Sequence, residues 1–350
     1  MQLVHGGDWA GFQTEYGYTP LDFSANVSPL GVPQGIQTAI ANAVKIADRY
    51  PDPLCRALRQ AIGKEENVPP EWILCGNGAA DLIWRLAAAQ RPHEAVLPAP
   101  SFAEYEAALQ SVQCRVHRVF LAQEMDFSVG EDFLQAVDVD TDLVFLCEPN
   151  NPTGKTTSMR LLRRLVERCA AMGAILVVDE CFSDFLEEPN AHTVRPLLPT
   201  YPNLVIVKAF TKLYAMAGVR LGYLLCSNPI LLEKLRLAGS PWSVSSLAQM
   251  AGIAALQEKD YVSRVRDLIQ KQRPFLSQGL QMLGLRVVPG EANYLLFQCE
   301  VPLLAPLRKR GILLRGCGNY PGLDDTWYRT AVRTETENRR LLAALEEIIR

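Results

Sequence analysis

From about residue 70 to residue 226, short runs of apolar and β-branched residues alternate with stretches whose apolar residues return every three or four positions. The short runs suit buried strands and the longer-period stretches suit one face of a helix. The pattern predicts strands at Trp72–Cys75, Ala95–Leu97, Arg115–Phe120, Leu143–Cys147, Ile175–Val178, Leu204–Val207 and Gly222–Leu225. Helices are predicted at Ala79–Ala89, Met159–Met172 and Leu231–Leu237. Alternation of this kind builds βαβ units and a mostly parallel sheet flanked by helices, so the fold class is α/β. After Pro241 the period becomes helical through about Leu283, with a kink expected at Pro274. Short strands then follow near Asn293–Gln298 and Trp327–Val332. The reading divides the chain into an extended arm over 1–32, a large domain over 33–240 and a smaller α+β domain over 241–350.

Composition narrows the function classes. With 49% hydrophobic and 21% charged residues, the chain carries enough apolar material to form a core and too little charge for a disordered state. Thirty-five basic residues against 38 acidic ones give a net charge of −3, with no long basic run to neutralise phosphates, which argues against a nucleic-acid or membrane-surface partner. The nine cysteines are scattered, odd in number and free of Cys-x-x-Cys pairs, the usage of a reducing compartment. With four histidines and no cluster at ligand spacing, no metal is expected. No charged and apolar leader opens the sequence, so a cytoplasmic protein is expected.

Four segments at predicted strand ends carry candidate chemistry. In Cys75-Gly-Asn-Gly-Ala-Ala-Asp81 a strand turns into a helix, and the amides of Gly78, Ala79 and Ala80 are placed to receive a phosphate. A tight turn that needs glycine for its backbone angles explains the same residues. Asn150-Asn-Pro-Thr-Gly154 follows a strand directly, where open α/β sheets bind ligands, although Asn-Pro and Thr-Gly are also ordinary turn formers. Asp179 ends a wholly apolar run and needs a cationic or protonated partner, in a site or in a structural salt bridge. Lys212 lies just beyond another apolar strand and Arg220 eight residues later. A lysine there is either a solvated surface group or one that loses its proton cheaply and attacks a carbonyl.

Together and in this order, these segments resemble the fold-type-I aminotransferases that use pyridoxal phosphate, over essentially the whole chain. The resemblance implies a large domain with a mostly parallel sheet and a small C-terminal domain, with pyridoxal 5'-phosphate as cofactor. It implies Lys212 as the Schiff-base lysine, Asp179 as partner of the pyridinium nitrogen and Asn151 on the ring's phenolic oxygen. It also implies Phe102, in Pro100-Ser-Phe-Ala-Glu-Tyr, as the stacking aromatic, and Gly78, Ala79, Ala80, Thr211 and Arg220 around the phosphate. Tyr50, in Arg49-Tyr-Pro-Asp-Pro53, matches a tyrosine that reaches the neighbouring subunit's phosphate, implying a homodimer with shared sites; otherwise it is a plain aromatic turn contact. Arg329, with Arg315 one strand earlier, matches the arginine that holds a substrate carboxylate, while Arg333 reads as an exposed charge at a helix entrance. The chain departs from the commoner pattern at Phe182, where most relatives carry tyrosine, and at Ala209, where a hydroxyl residue often helps to hold the phosphate.

Two subfamilies match further, the histidinol-phosphate aminotransferases and the threonine-phosphate decarboxylases of cobalamin biosynthesis. His5-Gly-Gly7, the segment Leu21–Gly31 with Asn26, Phe182 and Thr211-Lys-Leu-Tyr214 are similar to the decarboxylases. That resemblance implies His5 and Asn26 as substrate contacts and a small phosphorylated amino acid or amine as substrate. Decarboxylation of L-threonine O-3-phosphate is therefore expected, with histidinol-phosphate transamination as the alternative. The alternative from another class is a catalytically silent pyridoxal-phosphate fold acting as a regulatory module; such modules usually lack the lysine or carry a DNA-binding segment.

Overall fold

The computed structural model describes residues 6–350, so His5 lies outside the described residues. Its centre is a seven-stranded sheet in the order Ile73–Gly76, Gly222–Leu225, Leu204–Ala209, Ile175–Asp179, Leu143–Cys147, Glu94–Ala99, Arg115–Phe120. Every neighbouring pair is parallel except those made by Gly222–Leu225, which runs antiparallel to both of its neighbours. Central strands such as Leu143–Cys147 are buried at every position, as a sheet covered on both faces requires. The edge strand Arg115–Phe120 instead exposes Arg115, His117 and Arg118, charge that discourages pairing with another sheet.

The covering helices follow from local signals. Met159–Met172 buries Leu162, Leu165, Val166 and Cys169, a stripe at helical spacing. Ser158 caps its first turn by accepting from Leu161 N–H, and Gly173 ends it at φ +78°. The C-terminal unit has a four-stranded antiparallel sheet in the order Arg315–Gly316, Trp327–Ala331, Tyr294–Gln298, Arg286–Val287. The helices Lys259–Met282 and Glu335–Ile349 pack against each other beside it.

The helical stretch after Pro241 is two helices, Ser246–Ala255 and Lys259–Met282, and the second continues through Pro274. Ser246–Ala255 packs on Gln34–Ala43 and Arg56–Glu66, and its Ala248, Ala251 and Ala255 share one core with Leu58 and Ile62. The apolar face of Ser246–Ala255 thus joins the core formed with those two helices. The N-terminal arm contains the helix Trp9–Tyr16, capped by Asp8, and Leu21–Asp22 pairs in parallel with Ile312–Leu313 of the C-terminal unit. All nine cysteines are unpaired and buried, and among the described residues no helix is long and apolar enough to cross a membrane.

Candidate active site

The carboxyl ends of the parallel strands meet the C-terminal sheet and the arm, and the candidate residues gather there. Asp179 ends its strand, is 4% exposed and accepts hydrogen bonds from Cys181 N–H at 3.0 Å and the Tyr105 hydroxyl at 2.6 Å. Burial pushes its carboxyl above the usual range, against the pull of Cys181, Tyr105 and the Lys212 charge. Lys212 sits in the short helix Phe210–Leu213, directly after the strand Leu204–Ala209. Burial, and next the positive charge of Arg329, bring its ammonium down to about 8. Its Nζ lies 5.8 Å from the Phe182 ring centroid and makes no ion pair among the described residues.

The turn before the helix Ala79–Gln90 is shaped for a close approach. Gly78 has φ +84°, and a Cβ there would stand 2.7 Å from Arg220 Nη2, so the guanidinium lies over the turn. No side chain caps this helix, which leaves the amides of Ala79 and Ala80 at its start beside a cation. Thr211 is buried next to Lys212, and Arg220 itself is exposed with a φ of 61°.

Asn151 and Arg329 are brought into direct contact, Arg329 Nη1 donating to Asn151 Oδ1, while Arg329 Nη2 donates to the Ser24 carbonyl at 2.9 Å. Arg329 Nε has no partner although it is buried. Arg315 and Arg329 are register partners on adjacent antiparallel strands, both nine-tenths buried or more, and Arg315 also donates to Asn319 Oδ1 at 2.7 Å. Like charges placed directly opposite destabilise a sheet unless an anion lies between them. Asn26 is 2% exposed with an unpartnered Oδ1, and two residues further on Ser28 N–H donates to the Lys212 carbonyl at 2.9 Å.

Phe102 precedes the helix Ala103–Ser111 and meets the Tyr105 ring edge to face at 5.5 Å. Phe182 packs edge to face on Tyr294 at 5.0 Å, and Ala209 is buried. Tyr50 stands apart from these groups: it is 81% exposed and stacks on Trp242 at 4.7 Å. Arg333, expected to be an exposed charge, is instead partly buried, donating to the Asp22 carbonyl at 3.1 Å and pairing with Glu337. The sequence reading passed over Tyr105, Ser24 and Tyr294. Of these Tyr105 carried a signal, since it stands three residues after Phe102, on the same side of a helix.

The profile of the family "Aminotransferase class I and II" matches residues 19–345. The chain belongs to the class I and II aminotransferases. It is 38% identical to a threonine-phosphate decarboxylase of Salmonella typhimurium over 99% of this chain and 96% of that one. It is also 38% identical to a histidinol-phosphate aminotransferase of Symbiobacterium thermophilum, over 92% of this chain and 88% of the relative. The solved histidinol-phosphate aminotransferase of Clostridium acetobutylicum superposes with a TM-score of 0.88 at 28% identity, covering 94% of this chain and 99% of that one. The fold-type-I architecture expected from the motifs is therefore borne out, and the cofactor of this class I and II enzyme is pyridoxal 5'-phosphate. The residues present fit that group. The turn at Gly78 closed to any Cβ, the uncapped amides with Arg220 beside them, a low-pKa lysine and a buried carboxylate are the donors and charges that a phosphorylated pyridine aldehyde calls for.

Proposed function

We propose that the protein decarboxylates L-threonine O-3-phosphate to (R)-1-amino-2-propanol O-2-phosphate, a step of cobalamin biosynthesis, as a cytoplasmic homodimer. The observation that carries this reading is the place of the N-terminal segment. Ser24 holds Arg329 and Ser28 holds the Lys212 carbonyl, and Asn26, whose buried Oδ1 has no partner, lies between these two anchor points in sequence. The sequence of this stretch resembles threonine-phosphate decarboxylases, and the match to such an enzyme extends over 99% of the chain.

In this reading Ala79, Ala80, Thr211 and Arg220 would hold the cofactor phosphate, Phe102 would cover the ring, Asn151 would bind its phenolic oxygen and Asp179 would pair with its nitrogen. When bound, the cofactor supplies an electron sink for a bond breaking at the substrate Cα. Lys212, with its ammonium at about 8, offers a useful fraction of neutral amine near neutral pH to bond the carbonyl carbon, and its Nζ later holds or delivers a proton. Arg315 and Arg329 supply the anion site that their opposed charges require, and a guanidinium fork suits a carboxylate or a phosphate ester. His5 and Asn26 complete the substrate contacts. With the cofactor bound, the hold that Arg315 and Arg329 took on the substrate carboxylate would decide which bond at Cα could give up its electrons.

The second reading is histidinol-phosphate transamination, favoured by the equal 38% identity to such an aminotransferase. A product assay separates the two. Sustained carbon dioxide release from L-threonine phosphate with no keto acid added supports decarboxylation. Turnover of histidinol phosphate that needs 2-oxoglutarate, with no carbon dioxide released, overturns it.

A further inference from the structure

The hydrogen bonds to Asp179 divide between its oxygens, Cys181 N–H on Oδ1 and the Tyr105 hydroxyl on Oδ2 at 2.6 Å, and the Cys181 thiol also favours its anion. Among the described residues no lysine or arginine forms an ion pair with it. Tyr105 is fully buried, stacks on Phe145 at 4.7 Å with the rings 9° from parallel, and meets Phe102 edge to face at 5.5 Å. Packing between two phenylalanines would be served equally well by a third, so the hydroxyl is the part of Tyr105 that packing does not explain. A donor at 2.6 Å to a carboxylate in a water-poor site makes a charge-assisted hydrogen bond that stabilises the anion and fixes its plane. Burial works the other way, toward the neutral acid.

We propose that Tyr105 is a positioning residue of the active site, whose hydroxyl keeps Asp179 ionised and its carboxylate held in place for the ring nitrogen of the cofactor. The assignment rests on the pyridoxal-phosphate reading of the site. The start of the helix Ala103–Ser111 thereby serves the cofactor ring twice, through Phe102 just before it and through Tyr105, which acts on Asp179.

The test uses the full-length apoprotein and measures pyridoxal phosphate binding by dialysis as a function of pH, in the parent, Tyr105→Phe, Asp179→Asn and the double variant. Loss of the donor raises the proton affinity of Asp179. The acid limb of cofactor affinity should therefore move up by about one to two pH units in Tyr105→Phe, the size of a lost hydrogen bond to a charge. In the Asp179→Asn background, where no charge is left to support, adding Tyr105→Phe should change the affinity by less than about threefold. A limb that stays in place, or an equal loss of affinity in both backgrounds, overturns the assignment in favour of packing. If Tyr105→Phe fails to fold because the carboxylate is left short of a donor, the double variant folds; if the double variant also fails, Tyr105 is a packing residue. Parent binding is measured first, and a parent that takes up no cofactor overturns the cofactor reading itself, and this assignment with it.

Discussion

Lys212 and Arg329 come from different units of the molecule, yet the arginine helps to set the charge of the lysine. Arg329 is the second cause, after burial, of the depressed Lys212 ammonium. Removing a neighbouring positive charge makes the protonated amine cheaper, so Arg329→Gln should raise the Lys212 pKa. The rate at which apoprotein takes up pyridoxal phosphate should rise with pH through about 8 in the parent and through a higher pH in Arg329→Gln, read from the visible band of the bound cofactor. Borohydride treatment should label Lys212 alone, and a Lys212→Ala protein with full turnover would contradict its role. The lysine and the aspartate were legible as residue types at strand ends, and the two arginines through the family resemblance. Their mutual effect was not, because Asn151 and Arg329 are 178 positions apart and meet only across the domain junction.

Among the elements, the junction of the helix Ala79–Gln90 with the strand Gly222–Leu225 is the tightest point at the proposed phosphate site. A Cβ at Gly222 would lie 2.6 Å from the Ala79 amide nitrogen and 2.8 Å from the Gly78 carbonyl carbon, both backbone atoms. Gly222→Ala should therefore cost about 1–3 kcal/mol in chemical denaturation and weaken cofactor binding as well. Gly173→Ala makes the control: φ is +78° with open space around it, so it should cost about 1 kcal/mol and leave cofactor binding unchanged. Glu66, at the end of the helix Arg56–Glu66, accepts from Tyr223 and pairs with Arg195 and with Lys208 at 2.9 Å, beside a cavity of 580 Å³. Burial alone would push its carboxyl up, but the Lys208 charge and the Tyr223 hydroxyl outweigh it and hold the group at about 2, below its ordinary 4.5. A depressed carboxylate stabilises the fold above its unfolded pKa and loses that contribution as pH falls through the folded value. The stability gap between the parent and Glu66→Gln should thus be on the order of 3 kcal/mol near neutrality and shrink between pH 4.5 and about 2. Helix and strand positions were readable from period alone, and Arg115–Phe120, Leu143–Cys147, Gly222–Leu225 and Met159–Met172 agree residue for residue. The antiparallel direction of Gly222–Leu225 was not readable, because an apolar run looks the same in either direction.

For the whole molecule, the exposed Tyr50 and Trp242 form a stacked aromatic pair on the surface of the large unit, away from the chain's own site groups. The proposed homodimer uses this surface, with Tyr50 crossing to the neighbouring site. Sedimentation should show a dimer at assay concentration, and Tyr50→Phe should loosen cofactor retention while leaving the dimer intact; an active monomer would refute the arrangement. The period of Ser246–Ala255 identifies a helix but not the core that its apolar face joins, and that face joins Gln34–Ala43 and Arg56–Glu66.

The sequence by itself determined the α/β class, the strand ends that carry Asp179 and Lys212, the glycine turn before Ala79 and, through the order of these motifs, the family and its cofactor. The class, the strand ends and the turn are local properties, set by the spacing of apolar residues or by what one backbone turn demands, while the family and its cofactor came from the resemblance that the motifs carry together. Only the tertiary structure decided that Arg315 faces Arg329, that Ser24 and Ser28 tie the arm to Arg329 and Lys212, and that the Tyr105 hydroxyl ends on Asp179. Those pairings join residues far apart along the chain, and their free energy exists only once the core between them has closed, so no local pattern records them.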